Sequence, residues 1–135
     1  MNKEMLYLAG PMTPNWREGV IKELEQFFII YDPTRDSRQD CQMHYTSDDV
    51  AAAQSARYAL GYQPADKKPC LAMAVEMTLC FANKGTVVYV DETPTPDPLL
   101  IGIAKRSFSR LEEAINFLKR CATEKKTEYK MSYTP

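Results

Sequence analysis

From Ala72 to Ala82 the chain reads Ala-Met-Ala-Val-Glu-Met-Thr-Leu-Cys-Phe-Ala, an apolar helical stretch with one carboxylate inside it. Asn83-Lys84-Gly85 ends that stretch, and Thr86-Val87-Val88-Tyr89-Val90 follows as a strand. A helix feeding a strand is the repeating unit of an α/β fold. The carboxylate of Glu76 is the anomaly within it. Glu is among the residues least often buried, and an unpaired buried carboxylate is costly. Ala72, Val75, Leu79 and Ala82 flank Glu76 at helical spacing and leave little polar face beside it. Glu76 is therefore the first candidate for catalysis.

The rest of the chain repeats the alternation. Met5–Ala9 reads as a short buried strand closed by Gly10-Pro11, and Asn15 is placed to cap a helix over 16–26. Trp16, Val20, Leu24 and Phe27 are spaced to face a core. A second strand spans 27–31 and stops at Asp32-Pro33, and 34–45 reads as a polar loop. Ser47 or Asp48 opens a short helix to Ala56, followed by a third strand over 58–62 and a Pro-containing loop to Cys70. The next elements are a helix over 71–83, a strand over 86–91, and an irregular segment with three prolines. A short helix near 99–104 and a final helix capped by Ser109 complete the series, with a charged tail over 123–135.

This alternation predicts a single α/β domain over residues 1–135 with a mostly parallel sheet. Ligands of such sheets bind beyond the carboxyl ends of the strands. Gly10–Thr13, Asp32–Arg35, Gln63–Pro69 and the start of the 71–83 helix should share that edge.

At 135 residues, 44% apolar and 26% charged, the chain can bury one core. A net charge of −1 without a basic run speaks against nucleic acid as a partner. No apolar run approaches the ~20 residues of a membrane span, and Met1-Asn2-Lys3-Glu4 lacks a signal-peptide pattern. Cys41, Cys70, Cys80 and Cys121 show no paired spacing, and His44 is the single histidine. No metal, cofactor or disulfide framework is expected, and a reducing, cytoplasmic setting is. Arg17 and Arg35 read as solvated surface arginines, and His44 as incidental.

Tyr7-Leu8-Ala9-Gly10-Pro11, Trp16, Asp32-Pro33-Thr34-Arg35, and Val75-Glu76 followed by Ala82 and Lys84-Gly85 together resemble the nucleoside 2-deoxyribosyltransferase family, up to about Leu118. The resemblance implies a flavodoxin-like three-layer sandwich with about five strands. It implies Glu76 as the nucleophile at the anomeric carbon, Tyr7 as the phenol that orients it, and Asp49 as a sugar-holding acid. Gly10, Pro11, Met12, Trp16, Asp48, Asp66, Cys70 and Met73 complete the implied substrate-binding set. Cys70 stands where the family often has Asp or Ser, Arg57 where an Asp is common, and Met77 where Gly is usual. Asp66 is a candidate replacement acid.

The implied substrates are a deoxynucleoside or deoxynucleotide and a free nucleobase, handled by a homo-oligomer to whose sites a neighbour's Tyr129 or Tyr133 contributes. Three activities stay open on these residues. They are base exchange, hydrolysis of a deoxynucleoside or its 5′-monophosphate, and nucleotide sensing without catalysis.

Overall fold

The computed structural model describes residues 2–132, with side chains described for 2–124. Tyr129 and Tyr133 as site residues lie outside that description. The chain forms β1 (Glu4–Ala9), α1 (Arg17–Leu24), β2 (Phe28–Tyr31), α2 (Pro33–Asp36), α3 (Gln42–Ser55) and β3 (Tyr58–Gln63). It continues through α4 (Leu71–Ala82), β4 (Thr86–Asp91), α5 (Pro98–Ile103), β5 (Arg106–Phe108) and α6 (Leu111–Ser132).

Five strands pair in the order β2-β1-β3-β4-β5, all parallel. Successive side chains of a strand point to opposite faces, so each inner strand feeds two cores. Leu6 and Leu8 of β1 join Leu60, Val88 and Val90 under Trp16, Val20 and Leu24 of α1 and Ala114 and Leu118 of α6. Tyr7 and Ala9 join Ala59, Val87 and Tyr89 under Ala53 of α3, Met73, Met77 and Cys80 of α4, and Leu100 of α5. The three layers expected from the sequence are present. Gly61 makes the second layer possible, because a Cβ there would lie 2.2 Å from the Met77 sulfur.

Several boundaries differ from the sequence reading. Asn15 is not the cap of α1. Trp16 holds that position without a side-chain capping bond, and the Asn15 amide instead donates to Glu18 at 3.0 Å. The segment 34–45 is not one loop. Asp32 caps α2 by accepting from Thr34 N at 2.9 Å, with Pro33 in the first turn, and α3 begins at Gln42 rather than near Ser47. Within α3 only Ala53 is fully buried, so its apolar periodicity is faint. α6 starts one residue beyond an Arg110 that ion-pairs with Glu112, so Ser109 stands outside its cap position. The stretch after Thr123 continues α6 to Ser132 instead of forming a tail.

Candidate active site

In the order β2-β1-β3-β4-β5 the chain leaves β1 toward one edge and returns to β3 on the other side. That reversal opens a crevice beyond the carboxyl ends of β1 and β3, where open parallel sheets take their ligands. The loop after Ala9 and the loop before Leu71 both start there.

Gly10 has a φ of +154°, and a Cβ on it would meet the Tyr62 carbonyl oxygen at 2.8 Å and the Trp16 ring at 2.9 Å. Internal packing thus explains this glycine. Arg17 is 3% exposed, not solvated as its sequence position suggested. Its guanidinium donates to the carbonyls of Pro11 (2.8 Å), Gly10 (3.0 Å) and Leu8 (3.3 Å), while its Nε lies 3.5 Å from Asp32 Oδ1. One buried cation therefore shapes the turn after β1. Sequence reasoning missed it because the three carbonyls converge only in the folded chain.

Glu76 projects from the second turn of α4 and is part-buried. Burial pushes its pKa up to about 7; the Tyr7 phenol and the Arg17 charge pull it down, and the Asp49 charge pushes it up. The Tyr7 ring is fully buried, and its hydroxyl has no hydrogen bond of normal geometry. Even so, the Glu76 carboxylate is near enough to raise the Tyr7 pKa, behind burial itself. The phenol and the carboxylate therefore face each other without a hydrogen bond of normal geometry.

Tyr7 stacks on Tyr31 with centroids 5.3 Å apart and planes 15° apart. The Tyr31 hydroxyl donates to Asp49 Oδ1 at 3.2 Å. Burial raises the Asp49 pKa, while contacts from Ser37 and Tyr31 favour its charged form. Asp49 lies well inside α3, so it does not serve as a helix-start residue. Tyr31 and Ser37 were not singled out in the sequence. A tyrosine ending a strand carries no signal of what its hydroxyl touches.

The structure thus groups Tyr7, Asp49 and Glu76. The implied substrate-binding residues separate. Asp48 turns to Arg38, accepting from its Nη2 at 2.9 Å and from its backbone N at 2.8 Å. Met73 is 1% exposed in the core under α4. Trp16 is 7% exposed, tilts against Tyr62 at 5.1 Å on the opposite face of the sheet, and donates through Nε1 to the Pro11 carbonyl. It is a core residue. Met12 is 60% exposed, Asp66 is exposed, and Cys70 and Pro11 are half-buried around the crevice.

A separate cavity of about 220 Å³ lies beyond β4 and β5, lined by Asp91, Pro96, Ile101, Ser107, Phe108 and Ser109. The Asp91 carboxylate there already accepts from Tyr89, Thr93 and the backbone of Asp97. Among the described residues, Asp40, Cys41 and His44 could offer ligand atoms to a metal, all within 4.8 Å of one another. They come from one surface segment, and His44 Nδ1 is already 2.8 Å from Asp40 Oδ2. No helix of the described residues is long and apolar enough to cross a membrane.

No protein-family model matches the chain, and no curated protein matches it by sequence. Its fold does recur among solved structures. It is similar to a 2-deoxyribosyltransferase from the psychrotolerant bacterium Bacillus psychrosaccharolyticus, with a TM-score of 0.67 and 15% identity, covering 83% of this chain and 90% of that one. It is also similar to a CMP N-glycosidase of Clostridium botulinum, with a TM-score of 0.58 and 14% identity, covering 86% of this chain and 99% of that one. The chain shares with both the α/β architecture that its sequence led one to expect, the flavodoxin-like three-layer sandwich.

Proposed function

We propose that this protein is an N-glycosyl transferase of the nucleoside 2-deoxyribosyltransferase type, with Glu76 as its nucleophile. The observation that carries the reading is the grouping of a part-buried Glu76 with the Tyr7 phenol and Asp49 at the sheet's switch point. In the first step a Glu76 oxygen bonds to C1′ of the deoxyribose as the C1′–N bond breaks. The departing base keeps the electron pair and takes a proton from water or from a carboxyl at the mouth, for which Asp66 is the candidate. In the second step the nitrogen of an incoming base attacks C1′, loses its proton, and frees the Glu76 carboxylate. Positive charge on the sugar in both transition states is stabilised by the carboxylate beside it. Tyr7 orients Glu76, and Asp49 holds the sugar.

Transfer to water, starting from a 5′-monophosphate, is favoured by one observation. The Lys67 amine lies 3.5 Å from Thr13 Oγ1 and links the two loops across the mouth, placing a cation where a 5′-phosphate could enter. Chromatography of reactions with a deoxynucleoside or its 5′-monophosphate, each with and without a second free base, separates the readings. Base exchange supports transfer, and free base alone supports hydrolysis. Binding without turnover supports a sensing module, and unchanged turnover in Glu76→Ala sinks the mechanism.

We further propose self-association. α4 turns an uncharged outer face to solvent, with Leu71 at 83%, Val75 at 54% and Phe81 at 48% exposure, and a second copy is the proposed cover. Sedimentation as a monomer at micromolar concentration counts against it. The unbridged Cys41, Cys70 and Cys80 fit a cytoplasmic protein of nucleoside salvage, which fractionation of a producing cell tests.

A further inference from the structure

We propose that Tyr31 is a positioning residue for this reaction, its hydroxyl pinning Asp49 and its ring bracing Tyr7. The inference rests on the proposed role of Glu76 and goes beyond it to a residue that neither the sequence motifs nor the fold likeness identifies. Tyr31 closes β2, pairs in register with Tyr7 of β1, and stacks on it almost in parallel, at 15°. The same side chain reaches Asp49 Oδ1 at 3.2 Å on α3. One residue thus touches both groups that flank Glu76, from the edge strand of the sheet.

The neighbourhood leaves few other means of holding Asp49. Asp48, next to it on α3, is engaged by Arg38. Arg17 of α1 acts on Asp49 through its field, its Nη donors being turned to three backbone carbonyls and its Nε toward Asp32. Ser37 approaches from the end of α2, but its hydroxyl proton goes to the Pro33 carbonyl at 2.6 Å. Glu76 of α4 and Tyr7 of β1 complete the surrounding charged and titratable groups. Tyr31 is the hydroxyl on Asp49 that also contacts the Glu76 partner.

Tyr31→Phe removes the hydroxyl and keeps the ring. We expect kcat on the best substrate to fall about tenfold with less than a threefold change in KM, as for a lost charge-assisted hydrogen bond acting in the transition state. Carboxyl carbon NMR of the full chain should show Asp49 titrating at higher pH in Tyr31→Phe than in the parent, because a donor to its anion is gone. Tyr31→Leu, which also loses the stack, should lower kcat further. An Asp49 titration that Tyr31→Phe does not move overturns the inference, with or without a known substrate. So does an unchanged kcat in a protein whose Glu76→Ala variant is dead. If Glu76→Ala turns over as fast as the parent, the reaction assignment itself falls.

Discussion

Replacing Glu76 by Gln tests the central energetic statement about the site without needing a substrate. Glu76 has its pKa raised from 4.5 to about 7 in the folded protein, chiefly by burial. A carboxyl whose folded pKa exceeds its unfolded value opposes folding once it ionises. Below pH 4 the group is neutral in both states and imposes nothing. The penalty grows between pH 4.5 and 7 and is complete above that. A rise of roughly 2.5 pH units corresponds to about 3 kcal/mol, and part-exposure trims it to about 2 kcal/mol.

Gln cannot ionise, keeps the shape, and can still meet the Tyr7 hydroxyl. Glu76→Gln should therefore match the parent at pH 4 and exceed it by about 2 kcal/mol at pH 8, or about 6–8 °C in Tm for a chain of this size. Thermal unfolding followed by circular dichroism at both pH values measures this. Equal stability gains at pH 4 and pH 8 would show that shape, not charge, sets the difference. No gain at pH 8 would show that Glu76 is not a desolvated carboxylate, and the case for it as a strained nucleophile would fail.

Two other perturbations probe its surroundings. Tyr7→Phe deletes a hydroxyl that favours the Glu76 anion, so the acid limb of the kcat/KM profile should move up by about one pH unit. That hydroxyl has no normal hydrogen bond, so unfolding in urea should cost under about 1 kcal/mol, and a limb that stays in place rejects the orienting role. Arg17→Met strips the turn after β1 of three carbonyl contacts and leaves the Asp32 charge without its partner. A loss of about 3 kcal/mol in urea unfolding is expected, and a loss under about 1 kcal/mol contradicts the bracing role.

The fold was legible where one side of an element is apolar and the other is not. β4 begins and ends where the run from Thr86 predicts, because its residues are buried on both faces of the sheet. The Trp16, Val20 and Leu24 stripe of α1 meets the core as its spacing requires. The start of α3 is illegible because Gln42, Met43, Tyr45 and Thr46 are exposed and offer no apolar stripe, and β5 because Arg106 and Ser107 are exposed on a three-residue edge strand. Glu76 stood out as the only charge in its helix, though for a reason partly different from the one its neighbours suggested. Val75 and Ala72 face outward, and the burial of Glu76 comes from the sheet side, where Tyr7 lies. Arg17 and Tyr31 were illegible because their roles depend on partners 6 to 24 positions away.

The environment that makes Glu76 costly as an anion also suits it to covalent chemistry. The Asp49 charge raises the Glu76 pKa, so the pair resists holding two negative charges. In the proposed reaction, bonding to C1′ would convert the Glu76 carboxylate into an uncharged ester and relieve the same repulsion and the same desolvation. In the proposed transition state, the developing positive charge on the sugar would gain from the Glu76 and Asp49 anions, which partial burial leaves poorly screened. The carboxylate must still be ionised to attack, and a pKa of about 7 leaves about half of it so at neutral pH. A fully solvated Glu would be ionised more often but would gain less on attack. Tyr7 and Arg17 act in the opposite sense to burial and Asp49, and their balance keeps the group within reach of the working pH.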